Sequence, residues 1–160
     1  MKLYFLRHGI AVAREAWNGS DETRPLTPDG TARMAQAAKG MARLGLEVDL
    51  ILTSPLTRAV ETADIAARAL AKHDVLAQDS RLSPGFGIKE LVNILSDHAK
   101  TKAMLLVGHE PDFSNTTAVL IGGGRLVMKK GGLALVEIKD EAIPRGELVW
   151  LLPPKVLGAE

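Results

Sequence analysis

The sequence contains no cysteine, so it forms no disulfide, no thiolate nucleophile and no cysteine-based zinc or iron–sulfur site. No apolar run approaches the length of a membrane span, and the apolar stretch before Arg7 is too short for a signal-peptide core. The formal net charge is only +1, without a basic stripe that would attract nucleic acid. We therefore expect a cytoplasmic protein that binds neither nucleic acid nor membrane.

The length and composition of the chain are typical of one folded domain. The chain has 160 residues, of which 46% are hydrophobic and 24% charged, as in an ordinary globular protein with a sizeable core. There is no internal repeat and no low-complexity linker. We expect a single domain over residues 1–154 and a loose C-terminal tail over residues 155–160.

Apolar runs alternate with helical patterns along the chain. The runs predict five strands, at residues 2–7, 50–54, 103–109, 133–138 and 147–152. Helical spacing predicts four helices, at residues 27–45, 54–72, 88–98 and 111–123, with Thr27 and Ser54 as N-caps of the first two. This order predicts a three-layer α/β/α sandwich with a largely parallel central sheet.

Three predicted strands end at or near side chains that can bind an anion. The first runs into Arg7-His8-Gly9, the second is followed by Arg58 on the next helix, and the third ends at His109. Ligands of open α/β sheets bind beyond the carboxyl ends of the strands, so parallel pairing brings these side chains together. Two guanidinium groups and two imidazoles repel one another unless an anion lies among them.

A phosphoryl group is the anion that best fits this set. Arginine pairs with phosphate oxygens through its planar fork, and Gly9 lets the backbone come close to the ligand. A neutral imidazole is a good nucleophile, so we expect His8 to attack phosphorus in line, after which water hydrolyses the phosphohistidine. Arg7, Arg58 and a protonated His109 would stabilise charge on the phosphoryl oxygens, each contributing about 2.7–4 kcal/mol.

Five blocks in the same order resemble the histidine phosphatase superfamily, and within it the small SixA-type phosphohistidine phosphatases. The blocks are LRHGIA (6–11), RPLTPDG (24–30), TSPLTRAVETA (53–63), RLSPGF (81–86) and VGHEPDF (107–113). The resemblance implies a phosphoglycerate-mutase-like fold, His8 as nucleophile and a phosphate pocket of Arg7, Arg58 and His109. It also implies Arg24 at the pocket rim with Asp21, and neither a metal nor an organic cofactor.

One departure from the wider superfamily bears on the substrate. Many relatives that cleave phosphate esters carry a carboxylate general acid after the second helix, because an alkoxide leaves poorly without a proton. Residues 81–85 of this chain read RLSPG and contain no acid. An imidazole leaves phosphorus more easily, so this segment favours a phosphohistidine substrate. Glu90, Glu110 and Asp21 remain possible proton donors.

The resemblance therefore favours a metal-independent phosphatase acting on phosphohistidine in a protein such as a histidine-phosphotransfer domain, and we expect a monomer. Two other functions stay open. One is a phosphoester phosphatase or mutase for a small phosphorylated metabolite. The other is a non-catalytic module that binds a phosphoprotein through the same pocket.

Overall fold

The computed structural model describes residues 1–140 and 145–159. Within these ranges, the strands are β1 Lys2–Arg7, β2 Leu50–Thr53, β3 Leu76–Gln78, β4 Ala103–Gly108, β5 Leu133–Asp140 and β6 Arg145–Leu152. The α-helices of the same ranges are α1 Pro28–Arg43, α2 Thr57–Ala69, α3 Ile88–Asp97 and α4 Asp112–Leu120. The predicted sequence of helices and strands is confirmed, apart from β3.

One six-stranded sheet organises the molecule. Its strand order is β3-β2-β4-β1-β5-β6. The first four strands in this order are parallel to one another, and β5 is antiparallel to both of its neighbours, β1 and β6. The crossover connections of the parallel part place α1 and α2 on one face and α3 and α4 on the other. The predicted three-layer α/β/α sandwich with a largely parallel sheet is confirmed.

Successive side chains of the central strands pack alternately into two separate hydrophobic cores, one on each face of the sheet. In the first core, Leu6 and Leu105 pack against the apolar faces of α1 and α2. These faces consist mainly of alanine and methionine side chains, such as Ala63 and Met34. In the second core, Phe5 and its neighbours pack against α3 and α4. Because β1 and β4 are buried on both faces, they read as continuous apolar runs in the sequence.

Helix starts agree with the sequence in one case and not in another. Thr27 caps α1 as predicted, since its hydroxyl accepts the Gly30 N–H at 2.8 Å. The prediction that Ser54 caps a helix beginning there is wrong: α2 begins at Thr57, and its N-cap Leu56 has no side-chain hydrogen bond. Among the described residues, no helix combines the length and apolar character needed to cross a membrane.

The sequence did not predict strand β3. It has only three residues, and Ala77 and Gln78 are exposed because this strand forms one edge of the sheet. A three-residue strand with a single partly buried position gives no recognisable apolar alternation. Its pairing with β2 comes from tertiary contacts.

The C-terminal segment packs on the core, which corrects the expectation of a loose tail. Leu157 and Ala159 are buried in the first core beside α1. The contact depends on Gly40, because a Cβ atom there would lie only 2.0 Å from the Leu157 carbonyl oxygen. The backbone of this segment therefore lies directly against α1, a contact that residues 155–160 did not reveal in the sequence.

Candidate active site

The carboxyl ends of three neighbouring parallel strands form the candidate site. The strand order places β4 between β2 and β1, with Arg7 opposite Gly108 in the register. The strand alignment continues one residue further, since the His8 N–H donates to the Gly108 carbonyl at 3.0 Å. The next residues, His8 and His109, consequently lie side by side with ring centroids 5.2 Å apart.

His8 is fixed in the tautomer that a nucleophile needs. Its Nδ1 lies 2.7 Å from the Gly9 carbonyl oxygen, and because a carbonyl only accepts, Nδ1 carries the proton. The other ring nitrogen, Nε2, therefore keeps its lone pair. Burial is the main cause that lowers the pKa of His8 to about 3; the bond to Gly9 opposes it, and the nearby His109, Arg58 and Arg7 act in the same direction as burial. The ring is neutral at pH 7.

Thr62 supports this arrangement from α2. Its buried hydroxyl accepts the Gly9 N–H at 3.0 Å and donates to the Arg58 carbonyl at 2.7 Å. Thr62 thus ties the backbone that holds His8 to the helix that carries Arg58. Sequence periodicity cannot distinguish such a threonine from a core residue, because a buried threonine fits either role.

Arg58 lies on the first turn of α2 and is 4% exposed. Two of its N–H groups bind Asp21, one to the backbone carbonyl at 2.8 Å and one to Oδ2 at 3.0 Å. Burial lowers the pKa of Arg58 and the Asp21 carboxylate opposes that change, so the guanidinium stays charged. Because it is buried, Arg58 is not a solvated surface charge.

Asp21 and Arg24 lie in the loop between β1 and α1, which folds back over α2. Arg24 donates through Nε to Asp21 Oδ1 at 3.0 Å and through a terminal nitrogen to the Val12 carbonyl at 2.7 Å. Asp21 therefore lies between two guanidinium groups; desolvation raises its pKa, but the hydrogen bonds and charges of Arg24 and Arg58 together outweigh that effect and lower it. A carboxylate held ionised in this way is poorly suited to donate a proton.

Arg7 reaches the site from the last position of β1. One of its terminal nitrogens donates to the Met128 carbonyl at 2.7 Å, so the loop before β5 braces the guanidinium. Burial lowers the pKa of Arg7 and the nearby Glu110 carboxylate raises it. A backbone carbonyl that is 121 residues distant in sequence leaves no signal in the sequence itself.

His109 is 3% exposed and bonds through Nε2 to the Ser54 hydroxyl at 2.8 Å. Burial is the main cause that lowers its pKa to about 4; Arg58, Arg24 and Arg7 act in the same direction, and the Asp21 charge opposes them. In the free pocket His109 is therefore neutral at pH 7, whereas the expectation of a protonated His109 concerns the pocket that holds a phosphoryl group. A doubly charged ligand would restore its proton by attraction.

Unpartnered hydrogen-bonding atoms gather in this pocket. Across residues 1–140 and 145–159, buried side-chain nitrogens or oxygens without a hydrogen bond are Arg7 Nε, Arg58 Nε, His109 Nδ1 and Thr117 Oγ1. Three of the four belong to the strand-end pocket, although buried polar groups are normally paired. A tetrahedral oxyanion would supply the acceptors that these nitrogens lack.

The carboxylates considered as proton donors have other partners. Glu90 accepts the Gly87 N–H at 3.1 Å and caps α3. Glu110 accepts the Ser114 N–H at 3.0 Å and also bonds the Ser114 hydroxyl at the start of α4. In the described part of the chain, no group of three or more histidine and carboxylate side chains could hold a metal ion.

The low pKa values of both pocket histidines predict how stability depends on pH. Unfolded imidazoles titrate near 6.5, so between that pH and about 4 the unfolded chain binds more protons than the native protein. The free energy of unfolding should fall by about 2 kcal/mol per buried histidine between pH 7 and pH 5.

Urea denaturation at pH 7, 6 and 5 measures this dependence. The His8→Asn and His109→Asn variants should each show a flatter dependence than the unsubstituted protein, whereas His73→Asn, which changes an exposed histidine, should not. Identical slopes in all four proteins would contradict the prediction. Carboxylates contribute little in this window because their unfolded pKa values lie lower.

Comparisons with known proteins agree with this geometry. Residues 3–83 match the family model described as histidine phosphatase superfamily (branch 1). An uncharacterized protein from Picosynechococcus sp. is 37% identical over 166 residues, covering 98% of this chain and 99% of that protein.

Two solved structures resemble the whole chain. The protein histidine phosphatase SixA, complexed with tungstate, superimposes with a TM-score of 0.87 and 24% identity over 98% of this chain and 99% of its own. A mycobacterial glucosyl-3-phosphoglycerate phosphatase, complexed with VO3, gives a TM-score of 0.75 and 16% identity over 95% of this chain and 99% of its own. At these identities the two structures establish the shared fold.

Proposed function

The chain belongs to the histidine phosphatase superfamily, and from this premise we propose that it is a phosphatase that uses His8 as its nucleophile. The observation that carries the proposal is the pocket itself. A neutral imidazole with a free Nε2 lies beside buried guanidinium and imidazole nitrogens that have no hydrogen-bond acceptor. The tungstate and VO3 bound to the two relatives support an oxyanion as the missing partner.

The reaction would proceed in two displacements at phosphorus. The Nε2 lone pair of His8 forms a bond to phosphorus while the bond between phosphorus and the leaving atom of the substrate breaks. The leaving atom takes the electron pair of that bond. The oxygen of a water molecule then bonds to phosphorus, the Nε2–phosphorus bond breaks, and inorganic phosphate is released. During both steps Arg7, Arg58 and His109 donate hydrogen bonds to the phosphoryl oxygens.

We propose phosphohistidine in a protein as the substrate. Residues 81–85, which begin within the turn at Ser80–Leu82 that contacts β2 and β4, contain no carboxylate. Glu90 caps α3, Glu110 accepts the Ser114 N–H in the first turn of α4, and Asp21 is held ionised by two arginines. An imidazole leaving group depends less on a general acid than an alkoxide does, so this pocket suits an N–P bond.

A small-molecule phosphoester is the second candidate substrate. The similarity to a phosphatase named for glucosyl-3-phosphoglycerate favours it, because the same fold supports that relative's activity on a phosphorylated sugar derivative. The proposed cytoplasmic location and monomeric state remain predictions from the sequence.

A substrate comparison tests the proposal. We expect kcat/KM for a phosphorylated histidine-phosphotransfer domain to exceed that for sugar phosphates by about 100-fold or more, since general acid catalysis contributes roughly 10²–10⁴-fold to ester cleavage. EDTA should leave the turnover unchanged. Faster cleavage of sugar phosphates would assign the second candidate, and loss of activity in EDTA would contradict the metal-independent mechanism.

The Glu110→Gln variant separates the two substrates further. If Glu110 only binds Ser114 at the start of α4, the variant should slow phosphohistidine and ester cleavage to the same small extent. A selective loss of ester cleavage would identify Glu110 as a general acid and weaken the argument for an N–P substrate.

A further inference from the structure

Ser54 is a buried serine at the pocket that the phosphatase mechanism does not use. It follows the last residue of β2, is fully buried, and its backbone N–H continues the pairing with β4 by donating to the Val107 carbonyl at 3.0 Å. Its hydroxyl oxygen lies 2.8 Å from His109 Nε2 and accepts the Leu56 N–H at 3.3 Å. The hydroxyl therefore contacts both the imidazole and the chain that leads into α2.

We infer that Ser54 is a positioning residue that keeps a proton on His109 Nδ1 by occupying Nε2, so that Nδ1 always faces the phosphoryl group as a donor. The inference deepens the proposed function and rests on it for its role in turnover. Its structural basis is that Nε2 has a partner whereas Nδ1 is buried without one.

A hydroxyl suits this task because it both donates and accepts. When His109 is neutral, the Ser54 O–H donates to the Nε2 lone pair, and the single ring proton must then be on Nδ1. When His109 takes up a proton from solvent as an anion binds, Nε2 becomes N–H and donates to the Ser54 oxygen, whose own hydrogen rotates away. Nδ1 keeps its proton in both states, and no other group has to move.

The competing role of Ser54 is purely structural. Its hydroxyl accepts the Leu56 N–H and could serve only to hold the turn before α2. That role predicts a change in stability on removal of the hydroxyl but no change in the tautomer of His109. A measurement of the tautomer therefore separates the two roles.

Nuclear magnetic resonance of the imidazole nitrogens tests the inference without substrate. The chain has four histidines, and spectra of the His8→Gln and His109→Gln variants assign the two pocket rings. At pH 7 we expect the protonated nitrogen of His109 to be Nδ1 in the unsubstituted protein. In Ser54→Ala we expect a shift to the Nε2–H form or to a mixture. A wild-type Nε2–H form, or an unchanged tautomer in Ser54→Ala, would overturn the inference.

Kinetics gives the second readout. Ser54→Ala should lower kcat by about 10- to 100-fold, because a misplaced donor loses alignment with the transition state, and Ser54→Thr should recover most of the loss by restoring a hydroxyl. Thermal melting of each variant shows whether it is folded. Full turnover by folded Ser54→Ala would overturn the inference while leaving the phosphatase proposal intact. If every substrate fails but the tautomer result holds, the phosphatase proposal fails and the assignment of Ser54 to the His109 tautomer stands.

Discussion

Replacing His8 with asparagine is expected to abolish turnover, with a fall of about 10⁴-fold or more in kcat, as found when a nucleophile that forms a covalent intermediate is removed. Asparagine keeps a polar side chain in the pocket but has no lone pair with the basicity of Nε2. The exposed His73 provides a matched control, because His73→Asn makes the same chemical change at a ring that is bound to Asp64 and not to a pocket residue. The control should retain full activity.

Trapping the intermediate decides what His8 does. Rapid acid-free quenching after mixing with a ³²P-labelled phosphoprotein should leave label on His8 in the unsubstituted protein and none in His8→Asn. Equal turnover by the two proteins would exclude His8 as the nucleophile. Tight binding of the phosphoprotein with neither label nor turnover would instead identify a non-catalytic binding module.

The sequence predicted the four principal pocket residues because a strong topological rule applied to them. Continuous apolar runs identified β1, β2 and β4 as buried parallel strands, and residues that follow such strands meet at one edge of the sheet. His8 and His109 follow strands that are direct neighbours, so their contact needed no knowledge of loop structure.

The supporting contacts could not be predicted in the same way. Ser54 was interpreted as a helix cap because a serine followed by proline commonly begins a helix, yet its hydroxyl binds His109. The brace on Arg7 is a backbone carbonyl, which carries no residue identity. The charge of His109 depends on burial and on several surrounding charges together, and these are known only once the chain is folded.

The ion pair between Asp21 and Arg58 depends on the path of the loop between β1 and α1. The two residues are 37 positions apart and meet only because the loop before α1 folds over α2. The Glu61 carboxylate helps to hold that loop by accepting the Leu26 N–H at 2.7 Å. Sequence reasoning located Asp21 near the pocket only through a resemblance to relatives, whereas the structure shows which groups it binds.

Replacing Arg58 with alanine should lower kcat/KM by about 100- to 1000-fold, the usual effect of removing one donor to a developing anionic charge. The loss has two parts, since the variant removes the unpartnered Nε and also leaves Asp21 with only Arg24 as a partner. Arg58→Lys keeps the positive charge but not the planar fork, so it should recover only part of the activity.

Helix α2 itself offers a matched control for Arg58. Arg68 is also paired with an aspartate, Asp64, but its side chain is 68% exposed and lies away from the pocket. Because an exposed pair contributes little, Arg68→Ala should change kcat/KM less than about 2-fold. Vanadate inhibition follows the same comparison, since its affinity should fall in Arg58→Ala and stay unchanged in Arg68→Ala. Similar kinetics and vanadate affinities for the two alanine variants would show that the charge of Arg58 does not act on the phosphoryl group, and the anion-binding pocket would then have to be built without it.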